Sequence, residues 1–290
     1  MESLEFRLFS KIISKIPIKT RLQILFFRKF KRFINFDNPR TYNEKIQCKK
    51  IADRSELLTI GADKIKAKDF VKEIVPELYL PKMLWVGDSP ESLDELDLST
   101  LPKDYVYKAN HTSQTIEIIR HGNHLPKSKM KTLAKDWLKK DQSGALGEWA
   151  YENIPPRVFI EEYLEFDGHE PDDYKLYVFN GKVGFIQLDS GRFTDMTRNL
   201  YDANWEELGF EYHHPRCHPA PPKPEYIDEM IRIAEKIGQK YDFVRVDLYF
   251  YNGKITFSEL TMYSASGFLT MPDDWDLKIG DLWTQDYKVK

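Results

Sequence analysis

The sequence predicts an α+β fold, on three observations. Two runs of alternating apolar residues each carry an Asn-Gly-Lys tip and read as β-hairpins: Tyr174–Leu188 around Asn180-Gly181, and Phe243–Leu260 around Asn252-Gly253. Stretches with apolar residues three and four apart lie before and between them and read as helices. No repeat of solenoid or propeller period is present. At 290 residues the chain can bury a large core, as one domain or two lobes. An aromatic content of 14% excludes a disordered chain. With 43 basic against 46 acidic residues and a net charge of −3, whole-chain binding to nucleic acid is not expected. Two cysteines, Cys48 and Cys217, exclude a disulfide-stapled scaffold and fit a reducing compartment. No apolar run approaches the ~20 residues of a membrane span, and no secretory signal is visible, so a cytoplasmic location is expected.

Residues 1–34 carry nine Lys/Arg against two acids, Glu2 and Glu5. Phe6, Phe9, Ile13 and Ile16 recur at helical spacing, Pro17 interrupts, and Leu22, Leu25 and Phe26 resume it. Two short amphipathic helices are expected. They suit either peripheral contact with an anionic membrane or packing on the domain with a solvated basic face. After the Asn38-Pro39 turn, Thr41 caps a helix running to Lys50, with Glu44 at the capping-box position. A further helix is expected over about Leu57–Val75, ended by Pro76, and Val86–Leu101 reads as a surface connection. Strands follow at Tyr105–Ala109 and Ile116–Arg120, a helix at 127–141, and a buried strand at Val158–Tyr163. Residues 213–224, rich in Pro and His, read as a loop, and Tyr226–Lys240 as a helix. The expected units are 1–35, a basic helical segment; 36–103, a helical part; 104–164, a nucleotide-binding lobe; and 165–290, a catalytic lobe.

The second hairpin is the most informative stretch. Val244, Val246 and Leu248 alternate with Arg245, Asp247 and Tyr249, so one face is apolar and the other charged. A two-residue turn pairs residues of opposite parity and sets Glu259 across from Val246. A three-residue loop or a bulge pairs equal parity and puts Arg245, Asp247 and Glu259 on one face. Two carboxylates on one face suit Mg²⁺, although a solvated charged face is the commoner outcome for such spacing. Lys108 sits in an apolar strand, where it either meets an anion such as phosphate or snorkels to water. The loop His111–Thr115, with Ser113 inside it, offers hydroxyls and N–H groups to phosphate oxygens.

These residues belong to a longer set of ordered motifs. They are Asn38-Pro39-Arg40-Thr41-Tyr42-Asn43-Glu44-Lys45-Ile46, Ala62-Asp63-Lys64, Tyr107-Lys108-Ala109-Asn110-His111, Ile160-Glu161-Glu162-Tyr163-Leu164, Asp173-Tyr174-Lys175, Thr197-Arg198-Asn199-Leu200-Tyr201-Asp202, and Val244-Arg245-Val246-Asp247-Leu248-Tyr249 with Glu259-Leu260-Thr261. In combination the sequence resembles the TupA-like branch of the ATP-grasp superfamily, from about Phe36 to Leu282. The resemblance implies two α+β lobes clamping ATP. It implies that Lys108 binds the nucleotide phosphates, with His111 and Ser113 beside it. Glu161, Glu162, Tyr163 and Leu164 would hold adenine through backbone groups, and Asp173 the ribose. Arg198 falls on a second phosphate contact, Asp247 and Glu259 on the Mg²⁺ ligands, and Arg245 on the arginine that steadies the reacting phosphate. Lys175 would reach the γ-phosphate or acceptor, and the loop of Ser264, Ser266 and Gly267 borders the acceptor. Two departures are visible: the loop after Lys108 lacks the usual lid glycines, and Thr261 stands where an asparagine often completes the metal site.

The implied reaction phosphorylates a carboxylate with ATP and Mg²⁺, and an amine then attacks the acylphosphate to give an amide. The expected substrates are a uronic acid or acidic glycan and an amino acid or amine, in cell-surface polysaccharide biosynthesis at the inner face of the membrane. Glycosyl transfer with Asp247 on a sugar-nucleotide metal, and a non-catalytic surface-assembly module, are the alternative readings. His213, His214, Cys217 and His218 are set aside as a zinc site for want of a matching second half. Trp275 and Trp283 read as core anchors.

Overall fold

The computed structural model describes residues 13–166, 171–191 and 194–289. The expected first helix falls partly outside them, with Phe6 and Phe9. Among the described residues, seven α-helices and two antiparallel sheets follow in the chain. Helix α1 spans Ile18–Phe30 and α2 Tyr42–Ala52. Thr41 Oγ1 accepts from the Glu44 amide while the Glu44 carboxylate accepts from the Thr41 amide, the expected capping box. The helix expected over Leu57–Val75 is two, α3 at Glu56–Ala62 and α4 at Lys66–Ile74. Asp63 breaks it: its Oδ1 accepts from the Ile65 amide at 2.9 Å and the Asn110 amide group at 3.0 Å, replacing helical partners.

Strand β1, Met83–Gly87, was not expected, and its last two residues fall in the stretch Val86–Leu101 read as a surface connection. Leu93 and Leu96 beyond it are buried, so this segment packs as well as connects. Strands β2 Tyr105–Ala109, β3 Ile116–Ile119 and β4 Val158–Glu162 complete a sheet ordered β1-β4-β2-β3. Tyr105, Tyr107 and Ala109 point one way, with Met130, Ala134 and Trp137 of α5, Lys127–Trp137, in the same core. Alternation then sends Val106 and Lys108 to the opposite face.

The larger sheet is ordered β7-β6-β5-β8-β9: β5 Asp173–Phe179, β6 Lys182–Ser190, β7 Thr197–Tyr201, β8 Phe243–Tyr251 and β9 Lys254–Thr261. Leu176, Val178, Val244 and Val246 lie on one face, against the apolar stripe of α6, Ile227–Gly238. On the other face Tyr177, Phe179 and Phe243 pack against Tyr42 of α2, leaving the far end of that face open. Helix α7, Asp273–Asp281, leads to Trp283, which is fully buried against Phe243. Residues 213–224 lie along β7, where Cys217 exchanges hydrogen bonds with the Asn199 side chain. Cys48 is packed, and burial pushes its thiol up to about 12.

Candidate active site

The charged face of the larger sheet depends on how its hairpins are registered. Asn252 and Gly253 both take positive φ, 48° and 74°, forming a two-residue turn that pairs Tyr251 with Lys254. That register alone would set Glu259 across from Val246. A bulge at Ser258 shifts it, so Asp247 faces Glu259 and Arg245 faces Thr261. The first hairpin uses the same device: Asn180-Gly181 turns the chain, and a bulge at Gly184 then sets Lys175 opposite Gln187 and Asp173 opposite Asp189. Lys175 is also opposite Asp247, and Asp189 opposite Arg198. Asp173, Lys175, Gln187, Asp189, Arg198, Arg245, Asp247, Glu259 and Thr261 therefore share one face.

Charges on that face are closely paired. Arg245 grips Asp247 with two hydrogen bonds, 2.7 and 2.5 Å, and reaches Glu259 at 3.4 Å and Ser264 Oγ at 3.2 Å. Arg198 holds Asp189 in a bidentate pair at 2.6 and 2.9 Å. Lys175 pairs with Asp173 and, at 3.0 Å, with Asp189. Burial pulls the Lys175 ammonium down, but Asp173, Asp247 and Asp189 together hold it above its ordinary value. Burial pushes the Asp247 carboxyl upward, against the pull of Arg245 and Lys175. Glu259 differs: its side chain is 38% exposed at the mouth of the cleft. Burial acts to raise its carboxyl, yet Lys64, Arg245, Lys108 and Lys175 bring it below the ordinary value.

Lys64 and Lys108 come from the other side. The cross-strand pairs place Lys108 and Val106 of β2, Ile116 and Ile118 of β3, and Phe159 and Glu161 of β4 on one face of the smaller sheet. Ile116 and Ile118 are exposed there. The result is an apolar plate with a cation at one end, facing the carboxylates of the larger sheet. Lys108 pairs with buried Glu161, which also takes Lys68 of α4. Burial pushes Glu161 up, but Lys108 and Lys68 outweigh it and keep it ionised below its ordinary range. Lys64 donates to the Thr112 carbonyl at 2.7 Å, and burial lowers its ammonium.

The remaining expected residues fall around this cleft. Glu162 accepts from Tyr79 and the Lys82 amide, and Arg120 donates to the Tyr163 hydroxyl oxygen while its guanidinium lies over the Tyr163 ring. Leu164 is buried at the end of the strand-to-hinge stretch Glu161–Leu164, and Phe166 beyond it packs on Tyr251 of β8. His111 is buried, with Nδ1 against Asn110 Oδ1, and burial lowers its imidazole. Ser113 is exposed beside Gln142. Ala265, Ser266 and Gly267 take φ of 45°, 55° and 65°, a left-handed turn. Lys50, fully buried in α2, holds it through Ser266 O and Oγ at 2.8 and 2.7 Å, and Gln47 donates to the Ser266 and Gly267 carbonyls. Sequence reasoning missed Lys68, Asp189, Gln187, Lys50 and the Ile116/Ile118 plate. Strand alternation from Lys108 could have indicated the plate; the others depend on partners distant in the chain.

A model of the TupA-like ATP-grasp family matches residues 44–284. The chain belongs to the TupA-like ATP-grasp family. No curated protein sequence matches it. Among solved structures, it is similar to the ATP-grasp ligase PsnB complexed with minimal precursor, at 14% identity over 78% of this chain and 60% of that one, TM-score 0.39. It is similar to the D-alanine–D-alanine ligase of Helicobacter pylori, at 12% identity over 83% and 67%, TM-score 0.46. A third is the phosphoribosylamine–glycine ligase of Thermotoga maritima, at 14% identity over 78% and 52%, TM-score 0.46. The TupA-like chain spans between about half and two thirds of the length of these structures.

ATP-grasp enzymes bind ATP, and the open end of this TupA-like cleft has a donor set for a hard divalent cation. Asp247 and Glu259 are direct cross-strand neighbours, with the Thr261 hydroxyl two residues on. Burial pushes the Asp247 carboxyl up even with Arg245 on it, and a bound cation would favour its charged form. Among the described residues no group of three His, Cys, Asp or Glu converges, so any ion here would complete its shell with phosphate and water oxygens.

Proposed function

We propose that this TupA-like protein is an ATP-dependent carboxylate–amine ligase of cell-surface polysaccharide biosynthesis. It would join a uronic-acid carboxylate of an acidic glycan to an amino acid or amine, at the cytoplasmic face of the cell membrane. The observation that carries the reading is that Lys108 on one sheet lies within electrostatic reach of Glu259 on the other, and Glu259 is the cross-strand neighbour of Asp247. The exposed Ile116/Ile118 plate offers an adenine ring a flat apolar seat. The hinge stretch Glu161–Leu164 would meet its edge with backbone groups, and Asp173 would meet the ribose.

Asp247, Glu259 and Thr261 would hold Mg²⁺, which when bound neutralises charge on the phosphate oxygens. Lys108, with His111 and Ser113 on the following loop, would hold the triphosphate. Lys175 and Arg245 stand beside the metal pair and would stabilise charge on the transferring phosphoryl group and the carboxylate under attack. Arg198 would act with Asp189 as a fixed dipole, or exchange that carboxylate for a phosphate oxygen. The left-handed turn of Ser264, Ser266 and Gly267, tied to Arg245 through Ser264 Oγ, would border the acceptor.

The test is mass spectrometry of products from ATP, Mg²⁺, a uronic-acid panel and an amino-acid panel. ADP is expected only when both acceptors are present, with a product lighter by one water than their sum. Thermal stabilisation by UDP-sugars and not by ATP would replace this reading with glycosyl transfer. Stabilisation by neither would favour a non-catalytic module.

A further inference from the structure

Helix α1 is seated on the molecule by one side only. Leu22 and Phe26 are buried with Ile34, Phe36 and Cys48, and Arg21 donates to the Gly144 carbonyl at 2.7 Å. The solvent side, where a helix is normally polar, carries exposed Ile24 and Phe27 among exposed Thr20, Arg28 and Lys29. Ile24, Phe27 and Phe33 are 38, 41 and 65% exposed, and the Phe27 and Phe33 rings stack at 4.8 Å. Seven large apolar side chains are exposed among the described residues, and three of them fall within residues 24–33. Lys15, Lys29 and Lys31 are exposed around them, and residues 13–36 contain seven Lys/Arg and no acid. Arg21 is buried and Arg32 is paired with Glu44 and Asp276, so the lysines carry most of the charge offered to solvent, on a chain that is net negative as a whole.

We propose that α1 and the turn after it form a docking surface for an anionic phospholipid bilayer. The phenyl pair and Ile24 would enter the boundary between headgroups and acyl chains, while the lysines meet lipid phosphates. Protein–protein interfaces are depleted in lysine and rarely ring an aromatic pair with it, whereas anionic lipid surfaces favour that combination. No helix among the described residues is long and apolar enough to cross a membrane, so the contact is peripheral. This inference does not rest on the ligase reading.

The test is co-sedimentation of the full chain with vesicles of about 70:30 phosphatidylcholine to phosphatidylglycerol, against pure phosphatidylcholine. Binding is expected to the anionic vesicles alone and is lost at about 0.5 M salt. Phe27→Ser with Phe33→Ser, and separately Lys29→Glu with Lys31→Glu, should each weaken it about tenfold with unchanged melting temperature. Should the phenylalanine pair prove needed for folding, Ile24→Ser and Phe33→Trp replace it. The indole emission of Phe33→Trp should shift to the blue with anionic vesicles. Equal binding to neutral vesicles, no binding, or an unshifted indole overturns the proposal. So does tight binding to a soluble acidic polysaccharide without vesicle binding, which would assign the patch to a polyanion.

Discussion

At the scale of single residues, two buried charges decide how the TupA-like site responds to pH and mutation. Glu161 neutralises both Lys68 and Lys108. Glu161→Gln would leave the buried Lys68 ammonium and the partly buried Lys108 ammonium without their carboxylate, at a cost of roughly 3–5 kcal/mol of stability by denaturant unfolding. Its folded carboxyl is depressed, because Lys108 and Lys68 outweigh burial. It therefore contributes stability that is present above about pH 4.3, its unfolded value, and is lost as pH falls through the folded value. Wild type should lose more stability than Glu161→Gln on acidification from neutrality; equal losses would contradict the pairing. Lys50 acts with the same sign in a more alkaline window. Burial lowers it to about 7, so between there and about pH 10.4 the unfolded chain holds a proton that the folded chain does not. Stability should rise with pH in that window, by up to about 1.4 kcal/mol per unit, and Lys50→Met should flatten the rise. Neutral Lys50 can donate to Gln47 Oε1 and the Ser266 carbonyl while accepting from the Ser266 hydroxyl, so deprotonation leaves the turn held. Neither dependence was readable from sequence, since nothing near Lys50 or Lys68 in the chain names its distant partner.

Elements carry the lesson about what sequence does and does not reveal. Both hairpins were legible because Asn-Gly takes the two positive φ values that a tight turn requires. The capping box at Thr41 was legible for the same reason, as local chemistry at fixed spacing. Strand β1 was not, because Trp85-Val86-Gly87 is short and is followed by acids and turn formers; its pairing with β4 supplies what propensity lacks. The bulge at Ser258 has no local mark either, and yet it decides whether Glu259 shares a face with Asp247. The bulge at Gly184 can be tested by size. A Cβ there would lie 2.7 Å from both the Phe179 ring and Leu282 Cδ1, so Gly184→Ala should cost about 1–3 kcal/mol through overpacking. Gly253 has nothing within 4 Å of the same position and a φ of +74°. Gly253→Ala should cost about 1–2 kcal/mol, from backbone conformation alone. Comparing the two by thermal unfolding separates steric from conformational demand; a neutral Gly184→Ala would show that the bulge has room to spare.

For the whole molecule, the question is whether the two sheets work on one ligand. Each sheet has its own core, and the parts touch through a few joints. Tyr79 is hydrogen-bonded to β9 on both sides, and Phe166 packs on β8. Lys64, between α3 and α4, bonds the loop after β2 at Asn110 and Thr112. The charges of Lys108 and Glu259 already act on each other across the gap. If both hold one Mg²⁺-bound triphosphate, their contributions to nucleotide affinity cannot be independent. Lys108→Ala and Glu259→Gln should each weaken Mg²⁺·ATP binding about tenfold or more, since each removes a charged contact to phosphate or its metal. Glu259→Gln should also lower turnover roughly a hundredfold. The double variant, measured by calorimetry at fixed magnesium, should bind more tightly than the product of the two losses predicts, by a coupling of about 0.5–3 kcal/mol. Glu161 stays paired with Lys68 when Lys108 is removed, so the cycle reports on the ligand and not on a collapsing lobe. Strict additivity would mean that the lysine and the carboxylate act on separate ligands, and the clamp between the sheets would have to be abandoned.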